Sequence, residues 1–86
     1  KDIDPKAPVH ILVIPKKHIK SINDLKSSDK YLAGELILAS KKIAKDQGID
    51  SKGFRTIFNT NDDGGQTVYH IHMHIMGGRQ MKWPPG

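Results

Sequence analysis

Between Val68 and Met76 the chain alternates imidazole with apolar side chains: His70, Ile71, His72, Met73, His74, Ile75. A period of two is the geometry of a β-strand, whose successive side chains point to opposite faces. The spacing predicts a third strand over 68–76 with Val68, His70, His72 and His74 on one face and Tyr69, Ile71, Met73 and Ile75 on the other. The apolar row must be buried against something, so the histidine row looks away from the core, into solvent or a ligand cleft. Same-face neighbours on a strand stand about 6.5–7 Å apart, which matches the size of a phosphate group.

The cover for the apolar row is the one long helix the sequence predicts, over Asp29 to Gln47, where Leu32, Leu36, Ala39 and Ile43 form an apolar stripe at i, i+4, i+7 and i+11. Ser28 or Asp29 is expected to cap its start. Lys41, Lys42 and Lys45 suit the negative end of its dipole, and Gly48 suits a left-handed stop. Val9 to Ile14, a β-branched run closed by Pro15, reads as a largely buried strand, and Phe54 to Phe58 as another. Ile19 to Leu25 reads as turns, and Asn59 to Gln66 as a polar turn region around Asp63-Gly64-Gly65. The expected class is α+β: an antiparallel sheet with one long helix packed on one face.

Eighty-six residues leave room for a single domain over 1–86 with a thin core, since a chain this short buries only about 60–65% of its unfolded surface. A three-stranded sheet of that kind has an open edge, and pairing two copies would complete or extend it, so a homodimer is expected. The absence of cysteine excludes disulfides, Cys-based zinc sites and thiol nucleophiles. No apolar run approaches the roughly 18 residues of a membrane span, and an intracellular protein is expected.

Three chemistries can use a row of imidazoles. Histidine is a common zinc ligand, with His10, Asp62 or Asp63 available to complete a set. A neutral imidazole can instead attack phosphorus while its neighbours stabilise phosphoryl oxygens and protonate the leaving group. The loop Asp63-Gly64-Gly65-Gln66-Thr67 supports that second use, because its backbone N–H groups and hydroxyl can approach a phosphate. The third is a nucleotide-binding regulatory or scaffold protein. A solvated sheet face is the commoner fate of a lone strand histidine, but three on one face beside a Gly-Gly loop favour a site.

Three blocks of sequence agree, in order and spacing, with a known family. Gly64-Gly65-Gln66-Thr67-Val68-Tyr69-His70-Ile71-His72-Met73-His74-Ile75 resembles the His-x-His-x-His signature of the histidine triad (HIT) superfamily. Pro8-Val9-His10-Ile11-Leu12-Val13-Ile14-Pro15-Lys16-Lys17-His18-Ile19 and Gly77-Gly78-Arg79-Gln80-Met81-Lys82-Trp83-Pro84-Pro85-Gly86 are similar to its nucleotide-binding (HINT) branch. The resemblance covers essentially the whole chain.

It implies a homodimeric purine nucleoside phosphoramidate hydrolase, cytoplasmic and also nuclear, that cleaves the P–N bond of adenosine or guanosine 5′-monophosphoramidates without metal or cofactor. By position, His72 would be the nucleophile, oriented by the backbone carbonyl of His70, with His74 and His10 contacting phosphate or protonating the departing amine. Asn59 and Thr67 would touch the phosphate region along with the loop residues Gly65 and Gln66, and Asp2 and Ile3 would hold the ribose and flank the base. A His at position 74 argues against the transferase branch, which carries Gln there. Family members have a further segment before the Asp-Ile pair, so the resemblance implies a HIT domain lacking its N-terminal part.

Other features invite plainer readings. His10 alternates with Leu12 and Ile14, and pattern alone makes it as good a core histidine as a site residue. His18, among Lys16, Lys17 and Lys20, reads as part of a solvated turn. Asn59 can make a local turn bond. Trp83 is expected to pack or to contact a partner subunit. A net charge of +5 suggests nucleic acid, yet one Trp, two Tyr and two Phe offer no stacking platform, so nucleic-acid binding ranks low and a solvated surface is the better account.

Overall fold

A computed structural model of the chain describes residues 6–86. Three strands and one helix carry the fold: β1 (Val9–Val13), α1 (Lys30–Asp46), β2 (Phe54–Ile57) and β3 (Met73–Gly77). The sheet order is β1-β3-β2 with both pairings antiparallel, so the histidine-bearing strand is the central one. The helix packs on one face, giving the α+β layer expected from the periodicities.

Register assigns the faces. His10 lies opposite Met76 and Leu12 opposite His74, while Arg55 and Ile57 of β2 flank the same two β3 residues from the other side. These form the imidazole face. The opposite face supplies the core, where Met73 and Ile75 are fully buried with Ala44 and Ile49, and Val9, Val13, Ile43 and Phe58 pack around them.

The third strand is shorter than its alternation predicts. Its ladder begins at Met73, because β1 has already ended at Val13, the partner of Met73. The same register would place Pro15 opposite Ile71, and proline has no N–H to contribute and a fixed φ. In the segment before the ladder Ile71 is buried and His70 and His72 are half-buried, but a bend over 68–70 leaves Val68 and Tyr69 exposed to solvent. Tyr69 therefore does not join the apolar row. The backbone of Ile71 finds another partner, donating to the Ile19 carbonyl at 2.6 Å.

The other elements differ from expectation in detail. β1 is half-buried, with only His10 deeply covered, and stops before Ile14; β2 stops before Phe58. On α1 the buried line is Leu36, Ser40 and Ala44: Leu36 belongs to the predicted stripe, Ser40 and Ala44 lie one residue round from its Ala39 and Ile43, and Leu32, Ala39 and Ile43 are half-buried flanks. A helix advances about 100° per residue, so a stripe read from apolar type alone missed buried Ser40, whose hydroxyl donates to the Ile37 carbonyl. Trp83, expected to pack or to meet a partner subunit, is 83% exposed.

The helix stop is the expected one. Gly48 adopts φ +71°, its N–H reaches Lys45 O, and the Ile49 N–H reaches Ala44 O at 2.9 Å, the double bond of a Schellman motif that also delivers Ile49 to the core. The start is not. Asp29 occupies the cap position, but its carboxylate makes no capping bond. It accepts instead from Lys17 Nζ at 2.6 Å and from the Lys26 N–H at 2.9 Å. A short 3₁₀ turn over Ser27–Asp29 leads into the helix.

Buried Asp29 thus ties the loop after β1 to the helix. The Lys17 ammonium, and then the Lys26 amide, hold its carboxyl below the ordinary aspartate range. A lowered folded-state value means that the contact stabilises above the ordinary aspartate pKa of about 3.9 and that this is lost as pH falls through the folded value. Asp29→Asn is expected to lower the melting temperature at pH 7 and to make much less difference near pH 2.5. Melting curves at the two pH values check this; an equal loss at both would remove Lys17 as the cause.

Candidate active site

The central imidazoles are arranged by hydrogen bonds whose direction fixes their tautomers. His72 Nδ1 lies 2.7 Å from the His70 backbone carbonyl. A carbonyl only accepts, so His72 carries its proton on Nδ1 and its Nε2 presents a lone pair. The same reasoning applies to His70, whose Nε2–H donates to the Pro15 carbonyl at 2.9 Å.

His10 and His74 form a second chain. The Lys6 backbone N–H donates to His10 Nδ1 at 3.0 Å, and His10 Nε2 lies 2.9 Å from His74 Nδ1. With its Nδ1 accepting, neutral His10 must donate through Nε2, and His74 must then hold its own proton on Nε2. The His72 and His74 rings meet edge to face with centroids 5.1 Å apart, and His10 and His74 lie at the same separation. A nucleophilic nitrogen and a proton-bearing nitrogen therefore occur on adjacent rings, the pairing that displacement at phosphorus with protonation of a leaving group requires.

His10 is 6% exposed, and its partner is the histidine diagonally across the sheet. That resolves the choice between core and site that its pattern left open: it is both covered and wired to His74. Sequence reasoning missed His18. It is exposed as expected of a turn, yet its ring packs edge to face on His70, centroids 5.0 Å apart at 72°. All five histidines thus belong to one assembly. Nothing local marks His18, because the contact depends on how the loop after β1 returns to the segment before β3.

The loop residues divide in a way the sequence did not show. The Gly65 N–H closes a turn on the Asp62 carbonyl and the Gln66 N–H bonds to the Asn61 carbonyl, both at 3.0 Å, so neither amide faces a phosphate as expected. The Gln66 side chain is buried and fully used: Oε1 accepts from the Asn61 N–H, and Nε2 donates to the Lys20 and Val68 carbonyls. This residue is a bracket holding the loop against the approach to His70. Gly64 belongs to the same turn, where a β-carbon would run into the Thr60 backbone. Thr67 is exposed, and Asn59 is half-buried two residues beyond the end of β2. Asp2 and Ile3, expected at the ribose and base, lie outside the described residues.

A recess of about 510 Å³ lies beside this loop, lined by Thr60, Asn61, Asp62, Asp63 and Tyr69. Tyr69 donates to Asp62 Oδ1 there at 3.3 Å, and two carboxylates make it a poor place for a phosphate. Neither His10 nor Asp62 or Asp63 completes a metal set with the triad: among the described residues no group of three or more His, Asp or Glu is placed to hold a metal ion.

The family pattern of the HIT domain matches residues 1–81. The chain belongs to the HIT domain family. It is 49% identical to an uncharacterized HIT-like protein of Synechococcus elongatus over 86 residues, all of this chain and 75% of that protein. The crystal structure of a HIT family hydrolase from Legionella pneumophila superposes with a TM-score of 0.98 at 52% identity, covering 100% of this chain and 77% of that one. A histidine triad nucleotide-binding protein from Candida albicans superposes at 0.76 and 28% identity, over 96% of this chain and 64% of that one. The superfamily expected from the three sequence blocks is therefore the right one, and this HIT domain has the α+β core of its structural neighbours.

Proposed function

We propose that this HIT domain is a purine nucleoside phosphoramidate hydrolase of the nucleotide-binding branch, acting as a homodimer. The observation that carries the reading is the 2.7 Å bond from His72 Nδ1–H to the His70 carbonyl, which leaves Nε2 as an unprotonated nucleophile. In the first step His72 Nε2 bonds to phosphorus, the P–N bond of an adenosine or guanosine 5′-monophosphoramidate breaks, and the departing amine takes a solvent proton relayed by His74 Nε2, so that the His74 ring ends neutral. His10 stabilises the charge change through its bond to His74 Nδ1. In the second step water attacks the nucleotidyl-histidine, the bond from His72 Nε2 to phosphorus breaks, the proton of the water leaves to solvent through His74, and the nucleoside monophosphate departs. Thr67 and Asn59 contact the phosphate region, and Asp2 and Ile3 the ribose and base.

A hydrolase of known structure at 52% identity and a nucleotide-binding relative with the same fold support this assignment. Two open sheet edges, β1 and β2 among the described residues, support the homodimer. Quenching the protein in alkaline denaturant during turnover of adenosine 5′-monophosphoramidate, conditions a phosphorus–nitrogen bond to histidine survives, is expected to leave an adenylyl group on the peptide that contains His72, read by mass spectrometry. Turnover with the label on another residue would remove His72 from the nucleophile role. Sedimentation at micromolar concentration is expected to give a dimer, and a monomer there would count against the assembly.

A further inference from the structure

His72 and the carbonyl that orients it both stand outside the sheet. The β3 ladder begins at Met73, so residues 70–72 have no strand pairing to hold them. What holds them is the loop after β1, at three points. The Pro15 carbonyl accepts from the His70 ring, the Ile19 carbonyl accepts from the Ile71 N–H, and the His18 ring packs edge to face on the His70 ring. Two of these anchors are backbone carbonyls, and the third is a side chain.

We propose that His18 is a positioning residue: by fixing the His70 ring it holds the His70 carbonyl on His72 Nδ1 and so keeps the lone pair of His72 on Nε2. The His70 ring has one hydrogen bond, through Nε2, and a single bond leaves a ring free to pivot about it. The aromatic contact at 5.0 Å and 72° supplies the second constraint. Without it the 70–72 backbone relaxes, the 2.7 Å bond lengthens, and His72 gains access to the other tautomer, with its proton on Nε2 and no nucleophile directed at substrate. The reaction part of this inference rests on the phosphoramidase reading; the tautomer part does not.

The test uses His18→Ala and His18→Phe in the full chain, with two readouts. Nitrogen-15 NMR of the His72 ring without substrate is expected to give the Nδ1–H tautomer in the parent protein and a mixture in His18→Ala. Steady-state hydrolysis of adenosine 5′-monophosphoramidate is expected to lose about 10- to 100-fold in kcat in His18→Ala, with KM changed less than about 3-fold, as for a nucleophile displaced by a fraction of an ångström. His18→Phe keeps an aromatic edge and is expected to restore both the tautomer and most of kcat. The inference is overturned by an unchanged His72 tautomer in His18→Ala, by a rise in KM at constant kcat, which would make His18 a substrate contact, or by His18→Phe being no better than alanine. If the parent protein lacked phosphoramidase activity the proposed function would fail, while the NMR comparison would still decide the positioning role.

Discussion

Replacing His72 with alanine is expected to lower turnover of adenosine 5′-monophosphoramidate by about 10⁴–10⁶-fold, the scale seen when a covalent nucleophile is removed from a site that otherwise still binds its substrate. Nucleoside monophosphate affinity, read by calorimetry, should change by no more than a few-fold. The reason is geometric: His72 is the ring whose Nδ1 is committed to a carbonyl at 2.7 Å, while the neighbouring His74 has its Nδ1 engaged by His10 and holds its proton on the other nitrogen. No second imidazole can substitute without reversing that chain of tautomers. Turnover within about tenfold of the parent protein would show that another group attacks phosphorus.

The second large effect concerns the core face of β3, which His72 immediately precedes. Ile75 is fully buried at the centre of β3, between β1 and β2 and beneath α1, in one cluster with Ala44, Ile49 and Met73. Ile75→Ala removes three buried carbons and leaves a cavity that strands paired on both sides cannot collapse to fill, a loss of about 2–5 kcal/mol. Domains of this size have roughly 5–15 kcal/mol in total, so melting should fall by on the order of 10–30 °C. Thermal unfolding followed by circular dichroism measures it. A shift of only a degree or two would mean that the β3 core is far more plastic than its packing indicates.

Both predictions concern the segment of alternating histidine and apolar residues that leads into and forms β3, which was also the most legible part of the sequence. Alternation placed His72 and His74 on one face and Met73 and Ile75 on the other correctly, because side-chain direction in an extended chain is a local property. It placed the strand's start wrongly by five residues. Pairing is not local: the ladder stops where Pro15 would have to supply an N–H to it, and Pro15 is 55 residues from His70. The helix was read within one residue at each end, since Gly48 and the change of periodicity are local signals. Its buried line starts at Leu36 as expected and then runs one position off the stripe, because Ser40 is covered by tertiary packing that residue type does not announce.

The candidate site divides along the same line. That His70, His72 and His74 form one row, and that the chain is of the histidine triad family, could be read from spacing and from three blocks of similar sequence. The roles of the other residues came only from the folded chain. His10 reaches His74 because antiparallel register sets β1 beside β3; Gln66 turns out to brace the loop because Lys20 and Val68 present carbonyls to it; and His18 joins the row because the loop after β1 folds back on the segment before β3. Side-chain identity and spacing carry the chemistry a chain has available. Which nitrogen of each ring holds the proton depends on carbonyls and amides brought in from distant segments, and only the closed tertiary structure supplies those.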